Sequence, residues 1–252
     1  MNARNALRQR GWAVIPGVVD ADELPALVDA FDACFGSEPL PPVAQQPGAG
    51  RRHVALGRWL QDGRLGALGA QLLGCRRVRV LQDVLIAKPA GGGEVPWHRD
   101  ASYTGYLPAK SVVSLRLALG SESLPAGGLE VLDGSHLWPE PTPDLAGATE
   151  VVDGLATLRP AQRPLAEAAR REVLLRPGDV SAHEPRTWHR SAPNAGERRR
   201  TVVVHVFDAD ARVDRSRIPR THRQHLLLDA DGRLRQTPLT PLIYPPGRST
   251  PP

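Results

Sequence analysis

The sequence predicts a mainly β domain with flanking helices, its strands closing a double-stranded β-helix, a jelly-roll core of cupin-like kind. Three observations carry this. Apolar residues recur at helical spacing within the first 75 residues, and from Arg76 the period becomes two. The run from there to Phe207 consists of short strand-like segments separated by Gly- and Pro-bearing turns, the pattern of a closed or double-layered antiparallel architecture. No internal repeat or long polar tract divides the 252 residues, so one domain is expected: a helical part over 1–75, a β core over 76–207 and a tail over 208–252. An apolar content of 41% is enough for a real core.

Each element follows from its own pattern. Gly11 to Val19 reads as a short strand entered directly from a polar N-terminus. Asp20 to Glu23 place acidic residues at a helix start, and Leu24, Leu27, Val28, Phe31, Cys34 and Phe35 continue at helical spacing up to Gly36. A Pro-rich loop is expected over 38–50 and a second helix over 63–73. Gln82, Val84, Ile86 and Lys88 then share one face of a strand, and the Gly91-Gly92-Gly93 turn leads into Val95 to Asp100. In the strand over 111–119, Val113, Leu115, Leu117 and Leu119 make an apolar face, while Val112, Ser114, Arg116 and Ala118 make a smaller, partly polar one suited to a barrel interior. Gly127 to His136 gives a strand and a tight turn. The Pro-rich excursion over 138–169, with a helix near 161–170, is long enough to read as a lid. Strands over 172–175, 179–183 and 200–207 close the core, and the end of the tail is expected to be flexible.

Charge and composition exclude several classes. The formal charge is +5 and the pI about 9.8, yet Lys88 and Lys110 are the only lysines and the arginines are interleaved with acids, so no nucleic-acid tract forms. Cys34 and Cys75 stand far apart with no metal-type spacing, which suits buried thiols of a reducing compartment. No signal peptide or membrane-length apolar window is present, and a cytoplasmic protein is expected.

The chemistry concentrates in two stretches. On an extended strand residues i and i+2 point to one side, so His98 and Asp100 would present a nitrogen and a carboxylate oxygen to one point. His189, in Thr187 to Asn194, would close a 2-His-1-carboxylate face of the kind that holds non-haem Fe(II) and leaves positions open. His183 and His205 compete for the third place, His205 lying in an otherwise apolar strand where a hydrogen-bonded core histidine is the common case. The same face could hold Zn(II) or Mn(II) in a cupin-like metal-binding protein without oxygenase activity.

His98-Arg99-Asp100, the Gly-Gly-Leu-Glu-Val…Gly-Ser-His segment at 127–136, Pro177-Gly178-Asp179, and His189-x-Ser191-x-x-Asn194 followed by arginines occur in an order that resembles the phytanoyl-CoA dioxygenase family of Fe(II)/2-oxoglutarate oxygenases. The matched blocks span about 76–207. The resemblance implies His98, Asp100 and His189 as iron ligands, with 2-oxoglutarate as cosubstrate and O₂ as oxidant. It places the arginine that meets the far carboxylate eleven residues after the distal histidine, at Arg200, helped by Ser191; Arg198 is the fallback, and the remaining arginines of the Arg198-Arg199-Arg200 run are surface charges. Lys88, and Gln82 on the same face, are expected near the cosubstrate. Tyr103 and Arg116 are expected to meet substrate. Arg116 is a departure, because many members carry tryptophan there, and it could instead pair with a carboxylate inside. An aspartate at 100 argues against halogenation, since halogenases resembling this family lack that carboxylate. The implied activity is hydroxylation of an unactivated C–H bond of a small molecule; desaturation, epimerisation and cyclisation use the same oxidant.

Overall fold

The computed structural model describes residues 2–36, 39–139, 154–158, 162–218, 227–238 and 240–245. Two antiparallel sheets face each other, and the helices of the first 75 residues cover the outer face of the larger one. The larger sheet runs β1(Trp12–Ile15), β8(Val180–His183), β5(Val112–Ala118), β10(Arg199–Asp208), β3(Val78–Lys88), β11(Leu242–Tyr244), with β2(Ala44–Pro47) also on β3. The smaller is β4(Val95–His98), β9(His189–Ser191), β6(Leu129–Leu132), β7(Arg170–Val173). This is the expected jelly-roll arrangement.

Side-chain alternation divides the chain between two compartments. Val113, Leu115 and Leu117 of β5, Val202, Val204 and Val206 of β10, and Val180 and Ala182 of β8 pack outward against the helices. Their neighbours Ser114, Arg116, Thr201, Val203, His205, Ser181 and His183 therefore point between the sheets. In β3 the register shifts opposite His205/Val206, so that His205 pairs with Gln82 and Val206 with Val80. The bulge leaves Leu81 unpaired and keeps Gln82, Val84 and Ile86 on the interior wall.

The helices are α1(Ala3–Arg10), α2(Leu24–Ala33), α3(Ala49–Arg52), α4(Val54–Gln61), α5(Arg64–Leu73), α6(Ala101–Thr104) and α7(Arg163–Ala169). Four were not expected: α1, α3, α4 and α6. α1 is capped by the Asn2 side chain, which accepts from the Asn5 N–H, and ends at Gly11 with φ 83°; only Leu7 of its residues is buried, so it carries no apolar periodicity. α4 starts where the His53 side chain accepts from the Ala55 N–H, and it buries Leu56, Trp59 and Leu60. Cys34 caps α2 and, as expected, is partly buried against the helical core. The proposed lid over 138–169 falls largely outside the described residues, as do 246–252 at the end of the tail.

The stretch after β4 also departs from expectation. Asp100 is not extended: with φ −62° and ψ −26° it opens α6, and Tyr103 and Thr104 donate back to its carbonyl. A bend after His98, not a continued strand, brings the two side chains together.

Candidate active site

His98 from β4, Asp100 from the bend and His189 from β9 each offer one donor atom, all within 4.8 Å of one another. Asp100 Oδ1 lies 4.0 Å from His98 Nε2 and 3.6 Å from His189 Nε2. The backbone sets both imidazoles. His98 Nδ1 is 2.8 Å from the Pro96 carbonyl and His189 Nδ1 is 3.0 Å from the Thr187 carbonyl, so each Nδ1–H donates there and each Nε2 keeps its lone pair. Burial, reinforced by the neighbouring histidines, holds His189 well below the usual imidazole range, and burial likewise lowers His98. Burial alone would raise Asp100, but His189, His183 and His205 around it hold its carboxyl well below the usual range. Two neutral imidazoles and one carboxylate are the protonation states a divalent metal requires. The donor set fits Fe(II).

A second layer fixes Asp100. His183 Nε2 lies 2.9 Å from Oδ2, Ser114 donates to the same oxygen, and Tyr103 donates to Oδ1. His205 Nδ1 in turn meets Ser114 Oγ at 2.9 Å. His183, the alternative third ligand, thus has its Nε2 engaged in orienting the carboxylate, and His205 is the hydrogen-bonded core histidine that its strand suggested.

The donor atoms open on a cavity of about 340 Å³ between the sheets, with Val84, Ile86, Val95, Leu129 and Val203 as its apolar walls. Gln82, Ser191, Tyr103 and Arg116 line it. The arginine assignment changes. Arg200 points out to the helical side, where its Nη2 lies 2.9 Å from Asp32 Oδ2, and Arg198 joins the same carboxylate at 3.1 Å. Arg199 is the one that lines the cavity; it is buried, donates to the Gly127 carbonyl and leaves Nε without a partner. The loop after β9 is one residue shorter to the inward arginine than the resemblance implied. The signal was present in the sequence: Arg199 shares parity with Thr201, Val203 and His205, whereas Arg200 shares parity with the valines that pack on helices.

Lys88, paired with Arg199 on the interior face, is fully buried and outside the cavity lining; its Nζ donates to the carbonyls of Ser191 at 3.1 Å and Ala192 at 2.6 Å. Burial, with Arg199 and Arg116 nearby, pushes its amine down to about 7. It ties β3 across to the strand that carries His189. Arg116 meets Glu122 at 3.4 Å, the internal pairing that stood as the alternative to a substrate contact.

A family model described as phytanoyl-CoA dioxygenase matches residues 7–202. Among solved structures, the non-heme alpha ketoglutarate dependent carbocyclase SnoK from nogalamycin biosynthesis is 21% identical, with a TM-score of 0.78 over 96% of this chain and 95% of that one. The epimerase SnoN, solved with Fe3+, alpha ketoglutarate and nogalamycin RO, is 22% identical, with a TM-score of 0.75 over 96% and 97%. EctD from S. alaskensis, solved with 2-oxoglutarate and 5-hydroxyectoine, is 19% identical, with a TM-score of 0.71 over 95% and 89%. No curated protein matches the sequence. With the matched family spanning most of the chain and a His/Asp/His face lining the cavity between the sheets, the chain belongs to the phytanoyl-CoA dioxygenase family of non-haem Fe(II)/2-oxoglutarate-dependent oxygenases.

Proposed function

We propose that the protein hydroxylates an unactivated C–H bond of a small molecule, with His98, Asp100 and His189 holding Fe(II) and Arg199 holding the far carboxylate of 2-oxoglutarate. The observation that carries this is a single cavity that joins the three donor atoms to a buried arginine with an unmet N–H. When bound, Fe(II) with 2-oxoglutarate and O₂ supplies an oxidant strong enough to remove hydrogen from such a bond, with succinate and CO₂ as co-products. The chain's own residues do the rest. The Pro96 and Thr187 carbonyls aim the two Nε2 atoms, and His183 and Ser114 hold Asp100 so that Oδ1 faces them. Arg199 suits a carboxylate because its planar fork stays charged when buried. Val84, Ile86, Val95 and Val203 exclude water from the space between. Ser191 and Gln82 supply polar contacts along the cosubstrate, and Tyr103 borders the substrate side.

A second reading is epimerisation or ring closure by the same oxidant, favoured by the likeness over 96% of the chain to a carbocyclase and an epimerase. The two free cysteines suit a cytoplasmic setting, and no described helix is long and apolar enough to cross a membrane. Anaerobic addition of 2-oxoglutarate to the Fe(II)-loaded protein is expected to produce a weak metal-to-ligand charge-transfer band, and admission of O₂ is expected to yield succinate. A protein that binds Zn(II) or Mn(II) but shows neither result is a metal-binding module. With a substrate in hand, product mass separates the reactions: gain of one oxygen, loss of two hydrogens, or no change.

A further inference from the structure

Arg116 and Arg199 stand on adjacent strands, and Glu122 lies between them. On β5, Arg116 pairs with Val203 of β10; on β10, Thr201 separates Val203 from Arg199 on the same interior face. Glu122 meets Arg116 Nη2 through Oε2 and accepts from Thr201 Oγ1 through Oε1, so it links Arg116 to the strand that carries Arg199. Both arginines are 4% exposed and both line the cavity. Each keeps a buried N–H without an acceptor, Nη1 of Arg116 and Nε of Arg199. Buried guanidinium donors that lack a partner call for a ligand or an ordered water. The charges at this end are also unbalanced, since Arg116, Arg199 and Lys88 face Glu122 as the buried acid among them. Burial and Arg116 together bring Arg199 down to about 10, although Glu122 opposes that shift.

We propose that Arg116 is a second cation of the cosubstrate pocket, closing on the far carboxylate of 2-oxoglutarate beside Arg199, with Glu122 as the counter-charge that holds Arg116 in place. This rests on the oxygenase reading above. The pair of arginines selects a dicarboxylate over a 2-oxo acid that ends in an alkyl group.

The test is calorimetric binding, without O₂, to the Mn(II)-loaded protein, with 2-oxoglutarate and 2-oxopentanoate as probes. Replacing Arg116 alone strands a buried carboxylate, so the main variant is Arg116→Met combined with Glu122→Gln, which removes both charges. It is expected to bind 2-oxoglutarate at least tenfold more weakly and 2-oxopentanoate unchanged, with Arg199→Met behaving likewise. Arg116→Lys keeps the pair with Glu122 and so the fold, and is expected to lose about threefold because the planar fork is gone. Wild-type 2-oxoglutarate affinity in Arg116→Lys or in the double variant, alongside a loss in Arg199→Met, overturns the role of Arg116 and leaves the oxygenase reading standing. Failure of the wild-type protein to bind 2-oxoglutarate overturns both.

Discussion

Replacing Arg199 by alanine while separately replacing Arg200 tests the orientation of β10. Arg199 is nearly sealed from solvent, so its charge is little screened, and a charge-assisted pair in such a site is worth about 2 to 5 kcal/mol. At about 1.4 kcal/mol per tenfold, Arg199→Ala should raise the 2-oxoglutarate dissociation constant about thirtyfold or more. Arg200 and its partner Asp32 are 27% and 33% exposed, a surface pair worth at most about 1 kcal/mol, so Arg200→Ala should cost a little stability and leave cosubstrate affinity alone. Anaerobic titration of both variants, monitored through the charge-transfer band, with a thermal melt of each, measures the two effects. Iron affinity should change in neither. If Arg200→Ala lost 2-oxoglutarate binding and Arg199→Ala kept it, the parity assigned to β10 would be wrong.

His98→Ala, Asp100→Ala and His189→Ala should each abolish succinate formation with the fold retained by circular dichroism; turnover surviving in any of them removes that residue from the ligand set. His183→Ala should weaken metal affinity by about 10- to 100-fold without abolishing binding, the usual effect of removing a partner that orients a ligand; complete loss of metal would make His183 a ligand. Burial holds His98 and His189 neutral when folded, so below about pH 6.5 the unfolded metal-free chain binds protons that the folded one does not. Stability of the metal-free protein should therefore fall as pH drops through about 6.5, together with metal affinity; flat melting temperatures from about pH 8 to about pH 5 would contradict this. Lys88→Met strips the donor from two buried carbonyls and should destabilise by about 1 to 3 kcal/mol while loosening β9, read as a lower melting temperature and weaker Mn(II) binding.

The β core was legible because burial on two different sides writes itself into parity. Val113, Leu115 and Leu117 against Ser114 and Arg116 told which face of β5 meets the helices, and the structure agrees. Where side chains carry no such contrast the reading failed. α1 is mostly polar, and its existence depends on a cap and a left-handed glycine instead of an apolar stripe. The candidate pair His98 and Asp100 was picked out for a partly mistaken reason: spacing of two suggested a strand, whereas Asp100 approaches His98 through a helical turn whose backbone bonds are invisible in a sequence. Counting residues from His189 misplaced the inward arginine by one, and parity with His205 would have placed it. The network that holds Asp100 could not be read at all, since Ser114, His183 and His205 come from three strands that only tertiary pairing brings together.

The outer edge of β3 is closed by two strips of chain that are almost two hundred residues apart. β11 takes Val78 and Arg79, and β2 takes Val84 to Ala87. A cavity wall is thereby kept from being a sticky margin, because an open edge of this apolar strand would invite pairing with another molecule. The clasp is tight as well: a side chain at Gly66 of α5 would sit 2.2 Å from the Ile243 carbonyl, so the helix touches the closing strand backbone to backbone. Solubility and catalysis therefore share one strand, and clipping the chain ahead of residue 240 should first make the protein self-associate and only then cost it activity.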